Sequence, residues 1–164
     1  MALKIIVAAT MNNVIGQDNG LPFALADDLK RFKEKTVGYP VVCGYNTYLS
    51  IPAKFRPLPG RENIVLTSNP RKLEGEKITI ATDFNQILAR AEKEDLWVIG
   101  GARVYAQALP KAHELHLTRV QAILPGQVFF PPWDFAAWTL TSQESIQAGE
   151  SNQYNFTWEM WRRM

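Results

Sequence analysis

Short apolar runs alternate with helical stretches through the first two thirds of the chain, and this alternation limits the fold more than any other feature. The runs are Leu3 to Ala9, Val41-Val42-Cys43, Ile64-Val65-Leu66, Ile78-Thr79-Ile80 and Leu96-Trp97-Val98-Ile99, each closed within two residues by Gly, Ser or Thr. The first is rich in β-branched residues and apolar on both faces, the pattern of a strand in the middle of a sheet. Strands separated by helices need crossover connections, so an α/β fold with a mainly parallel sheet is expected. The rhythm changes towards the C-terminus. His113 to Gln121 alternates apolar and polar, and Trp138 to Ile146 and Tyr154 to Trp161 read as strands joined by a hairpin loop at Gly149 to Gln153. An antiparallel edge is expected there.

The chain has 164 residues, 46% of them apolar, with no repeat and no linker long enough to divide it, so residues 1–164 are read as one domain. A chain of this size buries roughly 68–70% of its extended surface, enough for a core without staples. Cys43 is the single cysteine. It cannot form an intrachain disulfide, and with His113 and His116 it cannot complete a structural zinc set, so no metal is expected. It reads as a small buried apolar residue. A net charge of +2 is too weak to imply a nucleic-acid or anionic-membrane partner. No run approaches the ~18 apolar residues of a membrane span. The stretch Ile5 to Ala9 is shorter than the ~7–15 residues of a signal-peptide core, so a cytoplasmic protein is expected. Tryptophans 97, 133, 138, 158 and 161 read as core and edge packing, because a stacking platform for single strands would need a basic groove.

The first informative helix runs from about Ala24 to Thr36. At 100° per residue, Leu25, Leu29, Phe32 and Thr36 share a stripe, with Asp27, Lys30 and Glu34 opposite. Asp27 fits as a first-turn acid complementing the helix dipole. Asp28 lies roughly 70° from the centre of the stripe, beside Leu29 and Phe32. The dipole reading is open to it as well, yet partial burial of an ion is costly without donors, and a ligand bearing N–H groups would supply them.

Two strand ends carry glycines. Leu96 to Ile99 runs into Gly100-Gly101 and then a helix, and Val41-Val42-Cys43-Gly44 repeats the arrangement, with Thr47 opening a short helix. Such turns let backbone approach a phosphate, and they serve equally for close helix–strand packing. In open α/β sheets ligands lie at the carboxyl ends of strands, where both turns fall.

Taken in order, these pieces resemble the dihydrofolate reductase family over nearly the whole chain. The resemblance is carried by Ile6-Val7-Ala8-Ala9, Asn13 to Gly16, Leu21-Pro22-Phe23, Asp27 to Lys33, Gly44 with Thr47, Arg56 to Asn63, Ile99 to Tyr105, Leu117-Thr118 and Phe130-Pro131. It implies a mixed, mainly parallel eight-stranded sheet flanked by helices with an antiparallel C-terminal edge. It also implies NADPH-dependent reduction of 7,8-dihydrofolate to tetrahydrofolate, in support of one-carbon metabolism, by a monomer that antifolates would inhibit. Alternatives are a same-fold reductase of another pterin or aminopyrimidine, and a non-catalytic folate- or nucleotide-binding protein.

Carried over position by position, the resemblance makes Asp28 the carboxylate that pairs with the pterin, with Thr118 supporting the same amino group through its hydroxyl and a water. Ile6, Val7, Leu29, Phe32, Ile51, Leu58 and Ile99 would wall the pterin and benzoyl rings, and Arg61 would grip the glutamate tail. Ala8, Ile15 and Tyr105 would flank the nicotinamide. Gly44, Tyr45, Asn46 and Thr47, with Gly100, Gly101, Ala102, Arg103 and Val104, would hold the pyrophosphate side, and Thr67, Ser68 and Asn69 the 2′-phosphate. The segment Thr10 to Phe23, with Gly16, Asn19 and Gly20, would close over the nicotinamide.

Three positions depart from the family pattern. Phe23 replaces a tryptophan whose indole helps hold a water near the acid. Tyr45 replaces an arginine for the 2′-phosphate, which leaves NADH possible and Arg71 or Arg103 as substitutes. Gln127 replaces an acidic residue that bears on the closing loop.

Overall fold

The computed structural model describes residues 1–17 and 20–164. Eight strands form one sheet in the order β5-β4-β3-β6-β1-β7-β10-β9. They are β1 (Leu3–Thr10), β3 (Val41–Gly44), β4 (Asn63–Leu66), β5 (Thr79–Ala81), β6 (Leu96–Gly100), β7 (Glu114–Val120), β9 (Trp138–Ile146) and β10 (Phe156–Arg163). The pairings from β5 through β7 are parallel, whereas β10 runs antiparallel to both β7 and β9. Among the helices are α1 (Ala26–Thr36), α2 (Tyr45–Ser50), α3 (Phe84–Ala91) and α4 (Ala102–Ala108).

The alternation along β1 explains its double-sided apolar reading. Leu3, Ile5, Val7 and Ala9 are buried, whereas Ile6 and Ala8 on the other face are only half-covered, because there the sheet floors a cleft. The main core lies on the first face, where Phe84, Ile87 and Ala91 of α3 join Val104 and Ala108 of α4.

Local differences from the sequence reading have local causes. The first helix begins at Ala26 rather than Ala24 because residues 24 and 25 are held against the loop at 151–153, Leu25 being extended. Leu25 bridges Asn152, Ala26 N–H donates to Ser151 O at 2.9 Å, and Gln153 N–H donates to Ala24 O at 2.9 Å. That loop is therefore an anchor as well as a turn. Asn152 is buried; its Oδ1 accepts from Asp27 N–H at 3.2 Å and its Nδ2 donates to Asp27 Oδ2 at 2.8 Å. The dipole reading of Asp27 thus misses its partner. Leu29 also departs from the core-facing reading: it is 58% exposed, because its part of the stripe faces the cleft. A two-stranded ribbon, β2 (Val14–Gly16) with β8 (Val128–Phe129), is too short to show a sequence period. Asn19 lies outside the described residues.

The turn from Leu58 to Asn63 is locked from inside. Asn63 is buried, and its side chain accepts from Leu58 N–H at 2.8 Å and donates to Leu58 O and Arg61 O at 2.9 and 3.0 Å. Asn63→Ala is expected to destabilise the protein by about 1–3 kcal/mol through partly buried backbone groups left unpaired, as urea unfolding would measure.

Candidate active site

One cleft of about 1470 Å³ runs along the half-covered face of the sheet between α1 and the starts of α2 and α4. That exceeds the ~300–1,000 Å³ of an ordinary small-molecule site, so there is room for a ligand larger than one ring system. At one end stand Ile6, Leu29, Phe32, Ile51, Leu58 and Ile99, an apolar wall holding the carboxylate of Asp28; Val7 and Thr118 also line it. The register places Ala8, Thr118 and Trp158 side by side across β1, β7 and β10. Opposed side chains share a face, so both Thr118 and Trp158 reach α1. Thr118 Oγ1 donates to Asp28 Oδ1 at 2.6 Å and Trp158 Nε1 donates to the same oxygen at 2.9 Å. The donors that a buried carboxylate needs thus come in part from the protein, whereas the sequence pointed only to a ligand. Thr118, expected to support a ligand through its hydroxyl, also binds Asp28 directly. Trp158, read as edge packing, is a polar partner of the site that strand periodicity could not reveal.

The other end is built on glycines. Gly100 has φ +135°, a backbone that side-chain-bearing residues rarely adopt, and a Cβ on Gly101 would stand 2.9 Å from Thr47 Oγ1. The missing side chains let Thr47 pack against the two glycines, which line the cleft. Helices α2 and α4 begin there at Gly44 and Gly101 without a side-chain cap, while α3 is capped by Asp83 accepting from Asn85 N–H at 2.8 Å. The first-turn N–H groups of α2 and α4 stay available to an acceptor in the cleft. Tyr45, Asn46, Thr47, Thr67, Ser68, Asn69, Ala102, Arg103, Val104 and Ile15 line this end. Tyr105 joins them through its ring; its hydroxyl donates to Ile6 O at 2.8 Å, and full burial raises its pKa. Lys72, unflagged in the sequence because a lone lysine beside Arg71 carries no pattern, also lines the cleft, its ammonium 5.5 Å from the centroid of the Tyr45 ring.

Other predicted residues stand away from the wall. Arg61 donates through Nε to Pro59 O at 2.9 Å and through Nη1 to Thr36 Oγ1 at 2.8 Å. Phe23 is buried with Leu25, Val120 and Phe156. Arg71 is exposed and off the cleft, and Gln127 is on it, with its backbone N–H donating to Gly16 O at 3.2 Å. Burial pushes the Cys43 thiol up to about 12, which suits an inert packing role.

A family model described as "Dihydrofolate reductase" matches residues 2–163. The chain is 39% identical over 155 residues to the type 3 dihydrofolate reductase of Salmonella typhimurium, covering 94% of this chain and 93% of that protein. It is 38% identical over 163 residues to the dihydrofolate reductase of Haemophilus influenzae, covering 94% of each. A solved dihydrofolate reductase from Enterococcus faecalis, complexed with NADP(H) and RAB-propyl, superposes with a TM-score of 0.91 at 34% identity, covering 99% of this chain and 96% of that one.

His116, two residues from Thr118 on the same face of β7, adds a titrating group to the cleft wall. Its Nε2 lies 2.9 Å from Glu114 Oε1, its ring meets Trp97 edge-on at 4.8 Å, and its Nδ1 is buried without a protein partner. Desolvation holds its pKa well below the ordinary 6.5, against the pull of Glu114. The unfolded chain therefore binds a proton that the folded chain refuses, so stability falls as pH drops below 6.5. His116→Phe is expected to flatten that loss, read as unfolding free energies from pH 6.5 downward.

Proposed function

The chain belongs to the dihydrofolate reductase family, and on that premise we propose that its cleft reduces 7,8-dihydrofolate to tetrahydrofolate with NADPH. The observation that carries this reading is the joining of two unlike ends in one cleft. Asp28, supported by two donors, stands within an apolar wall, and beside it lie glycine turns with uncapped helix starts.

Asp28 would accept N–H donors of the pterin, a charge-assisted pairing that fixes the ring and favours its protonated form. Because Thr118 spends its proton on Asp28 Oδ1, its lone pairs stay free for the pterin amino group. Ile6, Val7, Leu29, Phe32, Ile51, Leu58 and Ile99 would exclude water from the ring system. Arg61 sits on the turn that Asn63 locks to Leu58, and would turn Nη2 to the glutamate carboxylate while Nε and Nη1 hold their present partners. NADPH, when bound, supplies the hydride for pterin C6, and a solvent-derived proton completes N5. Ala8, Ile15 and Tyr105 would orient the nicotinamide. Gly44 to Thr47 and Gly100 to Val104 would take the pyrophosphate, where a Cβ at Gly101 would press on Thr47 Oγ1 and disturb the fit of the two turns. The chain's share is orientation, electrostatics and control of water.

Preference for NADPH over NADH rests on Lys72. Tyr45 brings no charge to the 2′-phosphate, but the Lys72 ammonium lies over its ring beside Thr67, Ser68 and Asn69. A point charge with neutral donors around it suits a phosphate, though without the bidentate fork of arginine. We read the protein as a single-domain, monomeric, cytoplasmic enzyme of folate metabolism, open to antifolates.

The test is the loss of nicotinamide absorbance when dihydrofolate is added with NADPH and, separately, with NADH. Turnover with NADPH is expected; dihydrofolate binding without turnover on either cofactor would sink the proposal. Asp28→Asn is expected to lower the rate at neutral pH by roughly 10²–10⁴, the scale of positioned acid–base assistance. Lys72→Met is expected to lower kcat/KM for NADPH by about tenfold and leave NADH unchanged, on the scale of one phosphate contact. Equal losses on both cofactors would place the 2′-phosphate elsewhere.

A further inference from the structure

Trp158 touches the site from behind. It is absent from the cleft wall, yet its indole nitrogen is 2.9 Å from Asp28 Oδ1. The ring is held on two sides. The Arg31 guanidinium, one helical turn on from Asp28, lies 4.4 Å from its centroid, and Phe156 meets it at 63° with centroids 5.4 Å apart. An indole N–H only donates, so the direction of this bond is settled by the residue type. The carboxylate, by contrast, sits on a torsion with broad wells and would swing if left alone.

We propose that Trp158 is a positioning residue for the reaction: with Thr118 it engages Asp28 Oδ1 from one rigid sheet and so turns Oδ2 to the substrate. This rests on the folate reading above. Two donors from paired positions on β7 and β10 define both the rotation of the carboxylate and the oxygen left over. Among the described residues, Oδ2 accepts no hydrogen bond from the protein. Preorganised placement of this kind matters most when the ligand needs a fixed in-plane approach, as a pair of neighbouring N–H donors does. Arg31 serves the same end indirectly, by clamping the ring whose edge carries the donor.

Trp158→Phe keeps an aromatic body under Arg31 and deletes the donor. Its kcat/KM for dihydrofolate should fall by about tenfold to a hundredfold, the scale of one hydrogen bond to a charged group. NADPH affinity should stay within a factor of two and the thermal midpoint near the parent's. The same substitution in an Asp28→Asn background should cost much less, since the charge to be positioned is gone. A loss under threefold, or an equal factor in both backgrounds, overturns the proposal, because a purely packing role would be indifferent to residue 28. If Trp158→Phe fails to fold, the indole proton resonance of Trp158 decides in the otherwise native chain. It should be protected from solvent exchange and should move in Asp28→Asn, and an unprotected, unmoved resonance overturns the assignment. A parent that binds NADPH but does not turn over dihydrofolate defeats the folate reading instead, and the resonance still reports on the indole contact.

Discussion

A carboxylate turned toward a sheet must be met by donors, and the meeting of Asp28 with Thr118 and Trp158 holds only while α1 keeps its height over β7 and β10. Both ends of that helix are fixed accordingly. At its start, Asn152 takes both the amide and the carboxylate of Asp27, and Ser151 accepts from Ala26. At its end, Arg61 donates to Thr36 Oγ1, which itself donates to Phe32 O at 2.8 Å. Leu29 and Phe32 of α1 face the cleft rather than a packed core, so apolar burial alone would not set the helix's orientation. Directional bonds set what packing leaves loose.

The two ends of the cleft follow different rules. Around Asp28 the protein offers side chains fixed by hydrogen bonds and stacking, whereas at Gly44 and Gly100-Gly101 it withdraws side chains so that Val104 and Thr47 pack close to the turns that line the cleft. The strand order brings the two together. With β6 between β1 and β3, the glycine turns at the ends of β3 and β6 stand next to the floor made by Ile6 and Ala8 of β1. The change of strand direction in sequence order about β1 and β6 is where such sheets open a crevice.

Much of this was legible in the chain because it rests on period and punctuation. The eight strands show as apolar runs or alternations, and the turns at the far end of the cleft show as glycines at strand ends. The off-stripe position of Asp28 showed that a carboxylate needed explaining. What the chain hid depends on pairing between distant segments. No local pattern says that Trp158 lies opposite Thr118, that Asn152 reaches Asp27, or that Lys72 lies over Tyr45. Arg61 is marked only by the family resemblance, and its bonds to Thr36 and Pro59 keep it off the cleft wall as the chain stands. The helix start is hidden for the same reason, since residues 24 and 25 follow the distant loop instead of their own propensity.

The C-terminal strands therefore do more than close the sheet. β9 is largely solvent-exposed along its length, a protective edge, but β10 enters between it and β7 and delivers both Phe156 to the core and Trp158 to the carboxylate. Residues 28, 118 and 158 meet at one oxygen, so the site is complete only when the last strand has paired. The same hairpin carries Asn152, which anchors α1 from its turn. One antiparallel unit thus fixes the helix that bears Asp28 and supplies a donor to the carboxylate. Position and support are coupled through the hairpin, so a shift of β10 against β7 would disturb both at once. The coupling rests on adjacency and register: β10 lies beside β7, and its pairing places a second donor beside Thr118 on the same face.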